Sequence, residues 1–185
     1  MVVNNESADG SPVIQESVIN QILEQILARI ATTLNKSNFK DAEQMLTALE
    51  NTVSIFGEAV VPFMPQIVSL CEQLLQTETP LSESMLNTAI TLFTACVEKC
   101  TGIRRKLIDQ LTEFMMTNIV PRLTPTDEKI EAWLTCEKDY DYKDTSVADS
   151  CADCMMTVSK VLGKQLALTV VHRTVEQAKA GNWRL

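Results

Sequence analysis

Cys151-x-x-Cys154 has the spacing of a zinc half-site or a redox-active dithiol. A structural zinc site takes about four ligands, and the remaining candidates are Cys136 and the single histidine, His172. Completing that set would require the segment around Cys136 to fold back onto the pair. On a helix, the same i, i+3 spacing places two small apolar side chains on one face, as the i, i+4 spacing does for Cys96 and Cys100. His172 has the intrinsic pKa of a general base, yet no Ser or Cys nucleophile is paired with it by any motif. There is no phosphate-cradling glycine loop and no metalloprotease helix, and no two carboxylates are set apart for acid–base work. The chain is therefore expected to be no enzyme and to carry no cofactor or metal, with its thiols serving as core.

A second group of candidate residues is acidic. Glu137, Asp139, Asp141 and Asp144 lie in the run Glu137-Lys138-Asp139-Tyr140-Asp141-Tyr142-Lys143-Asp144, which has no apolar stripe. Asp127 to Asp149 contains eight acidic and three basic residues, so this segment carries −5 of a net charge of −8. Such a loop suits contact with a basic partner, with Tyr140 and Tyr142 adding aromatic area. It also suits plain solvation. The acidic balance argues against nucleic acid and against anionic membrane surfaces, both of which need a basic face. No apolar run is expected to reach a membrane span, and the polar leader 1–10 is not a signal peptide. Arg104-Arg105-Lys106, the one basic cluster, falls at a predicted helix start, where cations are mildly unfavourable. Surface charge is its simplest role.

Helices must position these groups. Hydrophobic residues make up 45% of the chain, Gly and Pro are few (5 and 6), and good helix formers dominate. Ser11-Pro12 is a capped helix start, followed by the stripe Ile19, Ile22, Leu23, Ile26, Leu27, Ile30 and Leu34. A second helix begins near Asn38, capped with Asp41, and its stripe runs Ala42, Met45, Leu46, Leu49, Val53 and Phe56 to a stop at Gly57. A third holds Met64, Ile67, Val68, Cys71, Leu74 and Leu75, with Pro62 and Pro65 near its first turn. Thr79-Pro80 opens a fourth, with Met85, Leu86, Ala89, Ile90, Phe93, Cys96, Val97 and Cys100, broken by Gly102. A fifth runs from Leu107 through Leu111, Phe114, Met115 and Ile119 to Pro121, and a short helix is predicted over Asp127–Leu134. After the acidic loop, Ser146 and Asp149 form a capping box for a helix bearing Cys151, Cys154, Met155, Val158 and Leu162. Beyond Gly163, Leu168, Val171, Val175 and Ala178 mark the core stripe of a last helix ending at Gly181.

The helix ends Val53–Gly57, Val97–Gly102 and Val158–Gly163 align in steps of 44 and 61 residues, the longer step exceeding the shorter by the acidic loop and the short helix before it. A period of 40–47 residues with two helices per unit is that of HEAT and armadillo repeats. The expected fold is all-α, a HEAT-repeat α-solenoid of antiparallel helix pairs stacked in a right-handed superhelix. Its units are 11–36 (half a repeat), 37–79, 80–125, 126–181 with the acidic loop 137–145, and 182–185 opening the next. Both ends falling inside repeats suggests a segment of a longer solenoid, whose uncovered ends can pair into a dimer. A compact bundle of about seven helices is the alternative.

Val147-Ala-Asp-Ser-Cys-Ala-Asp-Cys-Met-Met, then Leu162-Gly-Lys-Gln-Leu-Ala-Leu, then Gly181-Asn-Trp-Arg-Leu resemble the karyopherin-β (importin-β) family, most closely its importin-five branch. Phe56-Gly-Glu-Ala-Val-Val-Pro-Phe-Met-Pro resembles that branch's turn between paired helices. The resemblance covers about residues 38–185. It departs from the pattern in the short acidic run, diluted by Lys138 and Lys143, and in the absence of the family's N-terminal Ran-binding portion. It implies a nuclear transport receptor shuttling between cytoplasm and nucleus, binding cargo with basic signals, phenylalanine-glycine nucleoporins and Ran-GTP. Glu137, Asp139, Asp141 and Asp144 would be acidic-loop contacts, and Trp183 a repeat-start aromatic that packs between repeats or meets a partner. The alternative is a HEAT scaffold of another class, such as a phosphatase or kinase regulatory scaffold.

Overall fold

The computed structural model describes residues 16–102, 106–123 and 146–179, and among these every regular element is helical. α1 (Glu16–Asn35) buries Ile19, Leu23 and Ile30, while Ile22, expected on the same stripe, is 46% exposed. Its predicted start at Ser11-Pro12 lies outside the described residues. The link to α2 (Phe39–Phe56) turns through Ser37, whose φ of 56° is in the left-handed region. α2 starts as its residues dictate: the Asn38 side chain accepts from the Asp41 N–H, and the Gly57 N–H closes the other end on the Val53 carbonyl. Ala42, Leu46, Leu49 and Val53 form its buried stripe.

A 3-10 turn, Gly57–Phe63, joins α2 to α3 (Met64–Gln76) and accommodates Pro62, while Pro65 occupies the first turn of α3, where a missing N–H is harmless. Within Phe39–Gln76 one 18-residue stretch is apolar enough, by length and composition, to cross a membrane (mean hydropathy 1.5), and 33% of it is buried in the fold. This corrects the expectation of no such run. Val53, Val60, Phe63, Met64, Ile67 and Val68 of this run pack into the core, while Ile55 is 72% exposed.

α4 (Glu83–Lys99) begins at Ser82, whose Oγ accepts from the Met85 N–H at 3.1 Å, and not at Thr79-Pro80. Proline fixes φ but caps nothing, whereas Ser82 is extended and offers an acceptor. The helix closes on Cys100, two residues before the predicted Gly102. α4 is buried nearly all round, through Met85, Ala89, Ile90, Leu92, Phe93, Ala95, Cys96 and Val97, because it is central: α2, α3 and a later helix all pack on it.

α5 (Ile108–Phe114) passes through a π turn, Met115–Ile119, into α6 (Val120–Leu123). Pro121, expected to end this helix, lies inside it. The π turn precedes it, with the Val120 N–H bonded to the Met115 carbonyl, and such a widened turn relieves the clash a proline makes with the preceding turn. Phe93 and Phe114 stack across α4 and α5 at 3.8 Å between ring centroids. α7 (Val147–Leu162) carries the expected capping box, with the Asp149 N–H donating to Ser146 Oγ and the Ser146 N–H to Asp149 Oδ2. It ends on Gly163 at φ +59°. α8 (Lys164–Lys179) buries Leu166. Leu168, Val171 and Val175, expected as its core stripe, are 58%, 60% and 44% exposed. The described helices reach α8 from its other side, and nothing among them covers that stripe.

α2, α4 and α7 lie in a row, α2 on α4 and α4 on α7. The N-terminal ends of α2 and α4 meet where Ser82 Oγ and Ser84 Oγ donate to the Glu43 carboxylate at 3.3 and 2.5 Å. Their C-terminal ends meet at Gly57 and Cys100, so the two run parallel. α1 pairs with α2, α3 with α4, and the π turn and α6 with α7.

Candidate functional site

The residues singled out for partner binding, Glu137, Asp139, Asp141, Asp144 and Trp183, lie outside the described residues, as do Cys136, Arg104, Arg105 and the predicted helix Asp127–Leu134. What the structure places is a set of joints between helices, two of which span 42 to 47 residues.

The first joint is at the C-terminal ends of α2 and α4. The Cys100 thiol donates to the Gly57 carbonyl at 3.3 Å across 43 residues. Glu58 Oε1 accepts from both the N–H and the hydroxyl of Thr101, and Glu58 Oε2 accepts from the Gly102 N–H at 3.4 Å. One carboxylate thus meets two backbone N–H groups and a hydroxyl of the turn that follows α4. A Cβ on Gly57 would come within 3.1 Å of Lys99 Cβ and 3.2 Å of the Lys99 carbonyl, so this position admits only glycine without displacing a neighbour.

The second joint repeats the logic one layer over. Arg122 Nη2 donates to the Leu75 carbonyl across 47 residues, capping the last turn of α3, and Nη1 donates to the Asn118 carbonyl at 2.5 Å. Gln76 Nε2 donates to Asn118 Oδ1 at 3.2 Å across 42 residues, and Asn118 Nδ2 donates to the Phe114 carbonyl at 3.3 Å. Asn118 has no exposed surface. A buried amide is tolerated because its donor and acceptor are both met, and the π turn presents it to α3. Sequence reasoning missed this joint. The available signal was a polar residue at a core position, Asn118, between Met115 and Ile119.

The thiols form no such arrangement. Cys71, Cys96, Cys151 and Cys154 are buried, no disulfide joins the described cysteines, and no group of three His, Cys, Asp or Glu residues among the described residues could hold a metal ion. Burial pushes the Cys154 thiol up to about 12 and raises Cys71, Cys96 and Cys151 as well. Thiols held protonated are poor nucleophiles and poor metal ligands. Cys154 Sγ lies 3.9 Å from Met115 Sδ, a contact of α7 with the π turn. His172 is far from all of them in character: it stands on the surface of α8, 3.7 Å from Glu176. Arg173 on α8 pairs with Glu113 on α5 across 60 residues. The hydrogen bond from Arg173 is the main cause holding the Glu113 carboxyl below its usual range.

No protein-family model matches the chain, and no solved structure matches it.

Proposed function

We propose that the chain is a segment of a HEAT-type α-solenoid that works by reversible protein binding, within a nuclear transport receptor of the karyopherin-β kind. The observation that supports the repeat reading is that two joints recur at similar separations, the ends of α2 and α4 across 43 residues and the end of α3 with the π turn and α6 across 42 and 47. In a solenoid each unit covers the apolar face of its neighbour, and small changes per unit add up to a change in pitch. Cargo and Ran-GTP would be coupled through that curvature, each weakening the other. The transport reading itself rests on the resemblance of the segments 147–156, 162–168 and 181–185. Under it, Glu137, Asp139, Asp141 and Asp144 contact basic cargo or Ran, Trp183 opens the next repeat, and the protein shuttles between cytoplasm and nucleus.

The test is binding of a protein carrying this chain to immobilised phenylalanine-glycine nucleoporin repeats and to a basic signal peptide. Saturable binding to both is expected. Binding to neither would leave a helical scaffold of another class.

A further inference from the structure

We infer that Thr79, in the link between α3 and α4, is a phosphorylation site for a proline-directed serine/threonine kinase, and that its phosphate loosens the joint between α2 and α4. The inference does not depend on the transport reading. Sequence alone made Thr79-Pro80 a helix start, but Ser82 supplies the cap, which leaves the dipeptide without that role. Every residue of 76–80 is exposed. Thr77 and Ser82, on either side of the dipeptide, are extended, with ψ of 138° and 148°, and Pro80 disfavours a helical Thr79. The Thr79 N–H donates to Thr77 Oγ1 at 3.3 Å, a contact within the link itself. The other fully described links are tighter: 36–38 is a turn, Gly57–Phe63 is helical, and Gly163 stands alone between two helices. Proline-directed kinases select a hydroxyl residue followed directly by proline, and here that pair enters a cleft without any helix unwinding.

In the reaction Thr79 Oγ1 attacks the γ-phosphorus of ATP. The new O–P bond forms as the bond to the β,γ-bridging oxygen breaks, ADP leaves with that electron pair, and the hydroxyl proton passes to the kinase's base. The product carries about −1.5 to −2 of added charge and three strong acceptor oxygens. Thr79 is three residues before Ser82, so their Cα atoms are at most about 11 Å apart, close to the range over which charges act at physiological salt. Ser82 Oγ and Ser84 Oγ donate to the Glu43 carboxylate at 3.3 and 2.5 Å, closing the N-terminal ends of α2 and α4. A phosphate here competes with Glu43 for those hydroxyls and for the N–H groups at the start of α4, where anions are favoured. It also repels the Glu43 carboxylate. Glu78 and Glu83, to either side of the dipeptide, offer it no counter-charge. The phosphate therefore releases α2 while α4 stays capped.

The test incubates the whole chain with a cyclin-dependent kinase and ATP and maps phosphate by fragmentation mass spectrometry, which separates Thr79 from the two other such dipeptides, Ser11-Pro12 and Thr124-Pro125. Thr79 is expected to be modified in the folded chain at a rate close to that of a free peptide of residues 74–84, since no helix must open first. Pro80→Ala is expected to slow the transfer by about tenfold. Phosphorylation at Thr79 is expected to lower the folding constant by about fivefold in urea titration, the worth of one exposed charge contact. Glu43→Gln, which removes the repelled charge, is expected to abolish most of that difference. Phosphate confined to the other dipeptides, or transfer to Thr79 only in urea, overturns the site. A phosphorylated chain of unchanged stability, or the same fall in E43Q as in the native chain, overturns the release of α2.

Discussion

Arg122 offers the sharpest quantitative prediction. Its guanidinium donates to the Leu75 carbonyl, one of the unpaired carbonyls of the last turn of α3, and to the Asn118 carbonyl beside the π turn. Hydrogen bonds from a charged donor contribute about 1.5–3 kcal/mol each, and removing the donor leaves buried acceptors unmet. Arg122 is half-buried, so water recovers part of that loss, and Arg122→Ala is expected to cost about 2 kcal/mol. For a chain of this size that is a fall in Tm of about 4–8 °C. Arg122→Lys keeps the charge but supplies one compact donor group where two carbonyls need a fork, so it should recover about half the loss. Urea unfolding followed by far-ultraviolet circular dichroism measures both variants. If helices couple chiefly through neighbours, R122A should also broaden the transition as the two sides of the joint unfold less cooperatively. A loss below about 0.5 kcal/mol, within the range of ordinary surface substitutions, would refute the assignment of this joint as a stabilising cap.

Other consequences follow from the same geometry. Gly163→Ala meets no steric obstacle but must hold φ +59°, and should cost about 1 kcal/mol, whereas Ser37→Gly relieves a left-handed residue and should gain somewhat less than that, both by urea denaturation. Cys71 and Cys154 should resist a thiol reagent at pH 8 in the native chain and react at once in urea. Because burial raises these thiols above their ordinary value of 9.0, the unfolded chain releases protons first as pH rises, so their contribution is present below about 9 and stability should fall above it. Arg173→Ala, at an exposed pair, should have the smallest effect of the series on the urea midpoint and should raise the Glu113 pKa, read by carboxyl NMR titration.

Much of the helical framework was legible from residue spacing. The stripes Ala42–Leu46–Leu49–Val53 and Cys151–Cys154–Val158–Leu162 have the helical period and are buried, and the side-chain caps at Asn38 and Ser146 are local chemistry that sequence displays. Boundaries set by competition were not legible. Pro80 looked like the opening of α4 because proline is frequent at helix starts, but the acceptor that fixes the start is Ser82. Pro121 looked like a stop because an isolated helix cannot absorb it, but a π turn precedes it, on which Asn118 accepts from Gln76. Glu58 and Arg122 were invisible as functional groups of the joints, since each acts on backbone more than 40 residues away in sequence. Leu168, Val171 and Val175 have the spacing of a core stripe, and spacing carries no information on which side of a helix its neighbours stand. The acidic run and Trp183 remain expectations from sequence.

The most direct test of the transport reading is equilibrium binding of a protein carrying this chain to Ran loaded with GTP or with GDP, with Asp139, Asp141 and Asp144 intact or changed together to Asn. The account predicts binding selective for the GTP form, weakened by the triple change. Equal affinity for both forms, or binding to neither, would contradict it.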